Sequence, residues 1–376
     1  MMPARATFYL DSLPKWQSAT RHLAPLIRAF SSSTAARKTR AFHQQGRAFP
    51  RTGPAILPIT TYRTFHHASS YSTAPPLPSS LEPIIHPLFE PSTCTYQYVI
   101  ADPTSRTAVI IDPVLDYDPC THTITTTTAD SLLALVRAHN YRVSHILETH
   151  AHADHLTAAF YLQRRLVEGQ GAEGRPKVGI GKRIGRAQKY FGGKYGLGKG
   201  EYEGIFDVLW EDDEVFQVGG LKGKVVPLPG HTEDHVGYWI ADNVFCGDSL
   251  FHPSLGTARC DFHGGNAHAL YHSARMLLSL PDHVRIWTGH DYPAEGERGP
   301  EPWASVGEHR RKNKHVRDGI TEKEFVVTRS GRDKTLAAPR LVHESLQVNI
   351  RAGHLPEADE AGTRVLKVPV NVQGAW

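Results

Sequence analysis

The segment His150-Ala151-His152-Ala153-Asp154-His155, called the His-rich segment below, places four side chains that can bind metal within six residues. Imidazole and carboxylate groups hold iron, zinc or manganese in proteins. A histidine-rich loop exposed to solvent is the plain alternative in a chain with 23 histidines. We favour a metal site, because His231, Asp248 and His290 also follow predicted strands and add ligands of the same kind.

This set of ligands exceeds what a closed structural site needs, so it predicts one or two metal ions with coordination positions left for substrate or water. It contains no thiolate, which argues against a structural zinc site of the cysteine type. Asp112 ends another predicted strand, where it either orients a ligand histidine or caps the turn before Pro113. The sequence therefore indicates catalysis at a metal centre.

The elements around the His-rich segment can hold these ligands on a rigid frame. A buried strand at 143–147 precedes the segment and a helix at 156–166 follows it, so the ligands lie on a strand-to-helix turn. A hairpin at 95–100 and 107–113 opens the folded part. Further strands are predicted at 206–209, 214–218, 224–228, 236–240, 244–246 and 284–288, and further helices at 130–139, with Asp130 as the cap, and at 268–280.

Two regions have no firm hydrophobic period. Residues 179–199 are rich in Gly and Lys and predict a long surface insertion, whose cations are either solvated or meet an anionic substrate. Their glycines match neither the Walker nor the Rossmann spacing. Residues 340–350 and 365–368 predict extended structure.

The net charge of +4 is unevenly distributed along the 376 residues. Residues 1–80 carry ten Lys or Arg and a single acid, Asp11, which leaves 32 basic and 37 acidic residues in 81–376. A basic, Ser-rich and acid-poor start is typical of a mitochondrial transit peptide, and a basic disordered arm without a targeting role is the alternative. The mildly acidic remainder argues against nucleic acid as a partner.

Cysteine spacing and hydropathy narrow the location further. The four cysteines form no Cys-x-x-Cys pair, so we expect reduced thiols in an intracellular compartment. No apolar run approaches the roughly 20 residues that span a bilayer, so no membrane partner is expected. We predict a transit peptide and disordered linker at 1–80, a catalytic domain at 81–295 and a C-terminal extension at 296–376 packed on the same domain, in the mitochondrial matrix.

Four short motifs together resemble the metallo-β-lactamase superfamily: Thr149-His150-x-His152-x-Asp154-His155, Pro229-Gly230-His231-Thr232, Gly247-Asp248-Ser249 and Gly289-His290-Asp291-Tyr292. The resemblance implies an α/β fold, an αββα sandwich of two mixed sheets flanked by helices. Within the superfamily the chain is most similar to the persulfide dioxygenases, through residues 256–262, 270–273 and 290–292. It departs at these places from glyoxalase II, which carries an Arg-x-Phe-Glu type segment and His-Glu-Tyr.

What the resemblance implies is one Fe(II) per chain, held by His150, His231 and Asp248, in an enzyme that oxidises glutathione persulfide with O2 to sulfite and glutathione. Arg259, with Asp261, is assigned to the substrate pocket, where Arg259 either anchors a glutathione carboxylate or forms a structural ion pair with Asp261. Tyr292 either donates a hydrogen bond to the substrate sulfur or packs in the core. The other catalytic-site residues are His152, Asp154, His155 and His290, which orient ligands and hold water.

Two other functions remain open. The same residues suit two Zn(II) ions per chain, with His150, His152 and His231 on one ion, Asp154, His155 and His290 on the other, and Asp248 bridging, in a hydrolase of a glutathione thioester or a lactone like glyoxalase II. The other function is that of a sulfur carrier or binding protein that has lost catalysis, which the complete ligand set disfavours. The partners expected are small molecules, and a homodimer is compatible with the sequence.

Overall fold

The structure, a computed structural model, describes residues 81–374, so the predicted transit peptide and linker in residues 1–80 lie outside the described residues. The strands within that range are β1 (Ile84–Glu90), β2 (Thr95–Ala101), β3 (Thr107–Ile111), β4 (Val114–Asp118), β5 (Thr123–Thr125), β6 (Arg142–Leu147), β7 (Leu156–Thr157), β8 (Lys177–Gly181), β9 (Val208–Trp210), β10 (Val215–Val218), β11 (Leu221–Pro227), β12 (Val236–Ile240), β13 (Asn243–Phe245), β14 (Arg285–Trp287) and β15 (Trp303–Ser305). The helices are α1 (Thr127–Ala138), α2 (Ala159–Gln170), α3 (Ile184–Tyr195), α4 (Ala267–Leu277), α5 (Val306–Lys312), α6 (Glu322–Asp333) and α7 (Val342–Asn349).

Two six-stranded mixed sheets form the centre of the fold. Their strand orders are β1-β2-β3-β6-β8-β9 and β10-β11-β12-β13-β14-β15. Aromatic side chains pack between them; the ring centroids of Tyr98 and Phe245, one from each sheet, lie 5.0 Å apart. A second cluster packs α1, α2, α3 and α7 on the first sheet, and a third packs α4 and α6 on the second. The layers are therefore αββα, as predicted.

The strand before the His-rich segment is buried from both sides. β6 pairs in parallel with β3 and with β8, and Val143, Ile146 and Leu147 are almost fully buried. Apolar residues on both faces are typical of a parallel strand that is covered from both sides, and in β6 they flank the half-buried Ser144 and His145. Since β6 ends at Leu147, the chain leaves the sheet where the ligands begin.

The segment at 179–199 is part of the core, so its prediction as a surface insertion was wrong. Residues Lys177–Gly181 form an inner strand of the first sheet, and α3 follows at Ile184–Tyr195. Phe191 and Tyr195, one turn apart, are buried against the sheet. The many glycines hide this period, because they remove apolar side chains from the pattern that identifies a helix.

Three other boundaries differ from the predicted ones. Residues 340–350, predicted as extended, form helix α7, whose buried face includes Leu346 and Val348. Helix α1 begins at Thr127, so Asp130 lies in its first turn, where it accepts a hydrogen bond from Thr126 instead of capping the helix. The helix predicted from 156 begins at Ala159, because residues 156–157 first pair with β4. In the described range no helix is long and apolar enough to cross a membrane.

Candidate metal centre

The predicted ligands meet at one edge of the two sheets. The His-rich segment follows β6 of the first sheet, while His231, Asp248 and His290 follow β11, β13 and β14 of the second. β11 and β13 run in the same direction, since each is antiparallel to β12, and β14 is parallel to β13. All three strands therefore deliver their ligands at the same edge.

His150, His231 and Asp248 form the first ligand set, with one donor atom from each lying within 4.8 Å of the others. His231 Nδ1 donates to the carbonyl of Arg259 at 2.7 Å, and His150 Nδ1 lies 2.9 Å from Thr149 Oγ1, which itself donates to Asp112. These bonds fix each ring through Nδ1 and leave Nε2 for a metal ion. His231 Nε2 lies 3.7 Å from Asp248 Oδ2.

A second set shares Asp248 and adds Asp154 and His290, again with donor atoms within 4.8 Å of one another. His290 Nε2 lies 3.2 Å from Asp154 Oδ2 and 3.5 Å from Asp248 Oδ1. His155 Nδ1 lies 3.0 Å from Asp154 Oδ2. The two oxygens of Asp248 thus face different histidines, so this carboxylate borders both sets.

His152 is oriented by two buried carboxylates. Its Nε2 lies 3.0 Å from Asp112 Oδ1 and 3.4 Å from Glu148 Oε2, while its Nδ1 is buried without a hydrogen-bond partner. Burial alone would lower the pKa of His152, but Asp112 and then Glu148 raise it well above the usual value. Burial also raises the pKa of Glu148 to about 7. Asp112 therefore orients ligand residues, which was one of its two predicted roles.

The residues at this edge fit a bound cation. The buried polar atoms without a hydrogen-bond partner include Nε2 of His150, Nδ1 of His152, Nε2 of His155 and Oδ1 of Asp248. Buried polar atoms without partners are costly, so a cluster of them among histidines and carboxylates indicates a cation-binding site. Burial, and then the neighbouring His152 and His235, keep the pKa of His150 well below its usual value, so its ring stays neutral and able to bind metal.

Asp154 supplies a charge to the same cluster. Burial alone would raise the pKa of its carboxyl, but His290 and His155 hold it below the usual value, so Asp154 stays ionised. The described residues thus contain a metal-binding cluster of histidines and aspartates. Iron and zinc both accept such a set of donor atoms.

A cavity of about 560 Å³ lies over the cluster, bordered by Asp154, His231, Asp248 and His290. Tyr292 also borders it, with its ring stacked on His290 at 5.5 Å between centroids, and is 46% exposed at the surface. Phe251, Leu255 and Phe262 give the wall an apolar part. The volume is in the usual range for pockets that bind small molecules.

Arg259 borders the same cavity and forms the ion pair with Asp261. Its Nε and Nη2 donate to the two carboxylate oxygens at 2.6 and 2.7 Å, and its Nη1 donates to the carbonyl of Ala337. The guanidinium carbon lies 5.1 Å from the Phe262 ring. Asp261 does not border the cavity and uses both oxygens on Arg259. Arg259 therefore forms the predicted ion pair with Asp261, and its contact with a substrate carboxylate stays a prediction.

Several residues at the centre were not predicted. His235 is fully buried, stacks on His150 at 4.6 Å and accepts a hydrogen bond from the backbone N–H of Asp248. Its spacing of four residues from His231 was an available signal. Asn349 of α7 donates to the carbonyls of His152 and His155, each at 2.8 Å, and nothing local in the sequence indicates this contact.

Comparison with known proteins agrees with the geometry. The model of the metallo-beta-lactamase superfamily matches residues 95–290. A "Beta-lactamase hydrolase-like protein" of Xylella fastidiosa is 43% identical over 295 residues, which span 78% of this chain and 66% of that protein. "Persulfide dioxygenase ETHE1, mitochondrial" of Bos taurus is 31% identical over 212 residues, or 56% of this chain and 68% of that protein. The crystal structure of ETHE1 from Myxococcus xanthus superposes with a TM-score of 0.57 at 30% identity, covering 72% of this chain and all of that one.

Proposed function

This chain belongs to the metallo-beta-lactamase superfamily, and from that premise we propose that it is an iron-dependent dioxygenase that oxidises glutathione persulfide to sulfite and glutathione. The observation that carries the proposal is the set His150, His231 and Asp248, because two imidazoles and one carboxylate beside a cavity are typical of iron enzymes that use O2. The likeness to ETHE1 of Myxococcus xanthus over its full length and to the bovine persulfide dioxygenase supports it.

His150, His231 and Asp248 would hold one ferrous ion, which supplies coordination positions for sulfur and O2 and the electrons that activate O2. The surrounding residues fix this arrangement before substrate enters. Thr149 and the carbonyl of Arg259 hold the two imidazoles by Nδ1, so neither ring needs to turn. Because these ligands are already in position, their side chains need not move during the reaction.

The cavity wall provides what a persulfide anion needs. Phe251, Leu255 and Phe262 exclude water from the sulfur, which strengthens every polar contact that it makes. Although Tyr292 is half-exposed, the surrounding protein and then Asp154 and Asp248 raise its pKa well above the usual value. Its hydroxyl therefore keeps its proton and can donate a hydrogen bond to the anionic sulfur.

The reaction balances with one persulfide, one O2 and one water. The terminal sulfur gives four electrons to O2 and takes up the three oxygen atoms, and the sulfur–sulfur bond breaks. From the persulfide anion the products are one sulfite dianion, one glutathione as its thiol and one proton; the neutral persulfide releases a second proton when it ionises. No other reductant or cofactor is needed.

The test is oxygen uptake by protein purified without oxygen and loaded with Fe(II). On addition of glutathione persulfide we expect one sulfite for each O2 consumed. Protein that contains one iron per chain and consumes no oxygen with this substrate would refute the proposal. Oxygen uptake without sulfite would equally refute it, because the products fix the reaction.

A hydrolase with two zinc ions is the second candidate, and the position of Asp248 favours it. Its Oδ2 faces His231 and its Oδ1 faces His290, as a carboxylate between two ions would. The Xylella fastidiosa relative is also named a hydrolase-like protein. Two zinc ions per chain together with cleavage of S-lactoylglutathione would establish this candidate, and one iron with no thioester cleavage would exclude it.

A further inference from the structure

The C-terminal part of the chain builds one wall of the cavity over the metal centre. Three of the arginines that border the cavity, Arg329, Arg332 and Arg340, come from α6 and the segment that follows it. Leu336 and Pro339 complete this wall. The wall therefore faces the ligands that the two sheets deliver.

Of the four arginines that border the cavity, two form ion pairs with aspartates and two do not. Arg259 is neutralised by Asp261, and the buried Arg329 by Asp333. Arg332 and Arg340 are exposed, and no carboxylate of the described residues lies within ion-pair distance of either. Two positive charges on this wall thus have no acidic partner among residues 81–374.

The acids that border the cavity do not offset these charges. They are Asp154 and Asp248, and both belong to the metal-binding cluster, where a cation would use their charge. A concave wall with two unpaired guanidinium groups attracts anions, and each group can bind a carboxylate through two parallel hydrogen bonds.

We propose that Arg332 and Arg340 bind the carboxylates of the substrate and thereby select a small thiol derivative that carries two carboxylates over an uncharged one. The inference rests on the proposed function for the identity of the reacting sulfur, but the carboxylate contacts do not depend on which reaction follows. The cavity of about 560 Å³ has room for a tripeptide. In this arrangement the ligands at the edge of the sheets bind the reacting sulfur, and the C-terminal wall binds the part of the substrate that carries the carboxylates.

Binding is measured first, with S-methylglutathione, which keeps both carboxylates of glutathione and has no reactive sulfur. In titration calorimetry on full-length protein loaded with metal, Arg332→Ala and Arg340→Ala should each weaken binding about tenfold, as expected for loss of one charge-assisted hydrogen-bonded contact. Arg317→Ala, an exposed arginine outside the cavity, is the matched control and should bind like the unaltered protein. Unchanged affinity in both cavity variants would overturn the inference.

Kinetics then separate carrier binding from distortion of the site. With glutathione persulfide, each variant should raise KM about tenfold at nearly constant kcat. With the diethyl ester of glutathione persulfide, which lacks both negative charges, KM should be the same in all proteins. An equal rise of KM with the ester would mean that the substitutions deform the cavity, and would overturn the inference.

The two proposals fail in different ways. If the unaltered protein consumes no oxygen but Arg332→Ala weakens binding of S-methylglutathione, the carboxylate site stands and the dioxygenase does not. If the unaltered protein produces sulfite and neither variant changes affinity or KM, the dioxygenase stands and the carboxylate site does not.

Discussion

Each imidazole of the first ligand set is fixed by a hydrogen bond on the side away from the metal. For His150 the bond runs through Thr149, whose hydroxyl links the ring to Asp112. A hydroxyl that donates to a carboxylate can accept from a ring N–H, so this chain of bonds also selects the tautomer of His150. The orientation of the ligand therefore depends on a residue that does not touch the metal.

We predict that Thr149→Val, which keeps the shape of the side chain and removes the hydroxyl, lowers metal affinity by about 10–100-fold. The ring of His150 loses its anchor and Asp112 loses a donor. Metal affinity is measured by competition with a chelator of known strength. Thr107→Val, at the far end of β3, is the control and should keep full affinity; equal affinity in both variants would mean that the ring is held by packing alone.

Removal of a ligand should have a larger effect with little change in fold. His231→Ala is expected to abolish stoichiometric metal binding and activity, because the strands that carry the site keep their buried core. Metal content by elemental analysis and the circular dichroism spectrum test both parts. The exposed His283→Ala is the control. A His231→Ala protein with one metal per chain and full turnover would show that the ligand set is wrong.

The cluster of histidines and aspartates could be predicted from sequence because its members occur in short motifs that follow strands. Their supporting residues were predictable only where they are adjacent in sequence or end a strand, as with Asp112. Arg332 and Arg340 lie far along the chain in a polar region whose pattern resembles that of any solvated helix and loop. Only the packing of α6 shows that they border the site.

At the scale of elements, strands that are short apolar runs between turns were predicted, whereas β1, β4, β5, β7, β8 and β15 were not. Strands β3 and β12 are such runs, because burial on both faces imposes them. Helices α3 and α7 were missed because neither shows a regular apolar stripe in its sequence. In α3 several positions are glycine, and in α7 buried polar groups such as Ser345 and Gln347 interrupt the apolar pattern.

Helix α5 and the turn after it contain two histidines that are built to be neutral. His309 Nδ1 faces the amide nitrogen of Asn313, and His315 Nδ1 accepts a hydrogen bond from the backbone N–H of Thr257. Burial lowers the pKa of both to about 4, and for His315 the nearby Arg329 adds to the effect. Protonation of Nδ1 would prevent each ring from accepting this hydrogen bond.

These histidines predict acid sensitivity. As pH falls from about 6.5 to about 4, the unfolded chain binds protons that the folded chain cannot, so the free energy of unfolding decreases. His309→Gln should reduce the slope of that decrease by up to about 1.4 kcal/mol per pH unit. Urea unfolding at several pH values measures the slope, with exposed His283→Gln as the control. An unchanged slope in His309→Gln would mean that the ring is not neutral in the folded state.

At the scale of the whole molecule, helix α7 supports the segment that carries His152 and His155. Asn349 donates to the carbonyls of His152 and His155 and accepts from the backbone N–H of Thr157 at 2.9 Å. One side chain of α7 therefore satisfies three backbone groups of a loop nearly two hundred residues earlier. The fold class followed from the motifs, but this contact followed from nothing in the local sequence, because it depends on how α7 packs beside β7.

We predict that Asn349→Ala lowers the free energy of unfolding by about 1–3 kcal/mol, the usual cost of stranding buried hydrogen-bonding groups. It should also lower metal affinity, since the loop that carries the ligands loses its support. Urea unfolding and chelator competition measure the two effects. Gln347→Ala on the same helix, which bonds to residues outside the centre, is the control for stability. Loss of stability with unchanged metal affinity would show that the loop holds its shape unaided.

The hydrogen bonds from Asn349 also affect the order in which the site is completed during synthesis. A chain grows from its first residue and its early parts fold first, so the His-rich segment leaves the ribosome long before the helix that supports it. Until α7 arrives, four metal-binding side chains sit on an incompletely anchored loop. Firm capture of a metal ion therefore waits until α7 has been made, and a chain that stops before α7 should bind its ion more weakly.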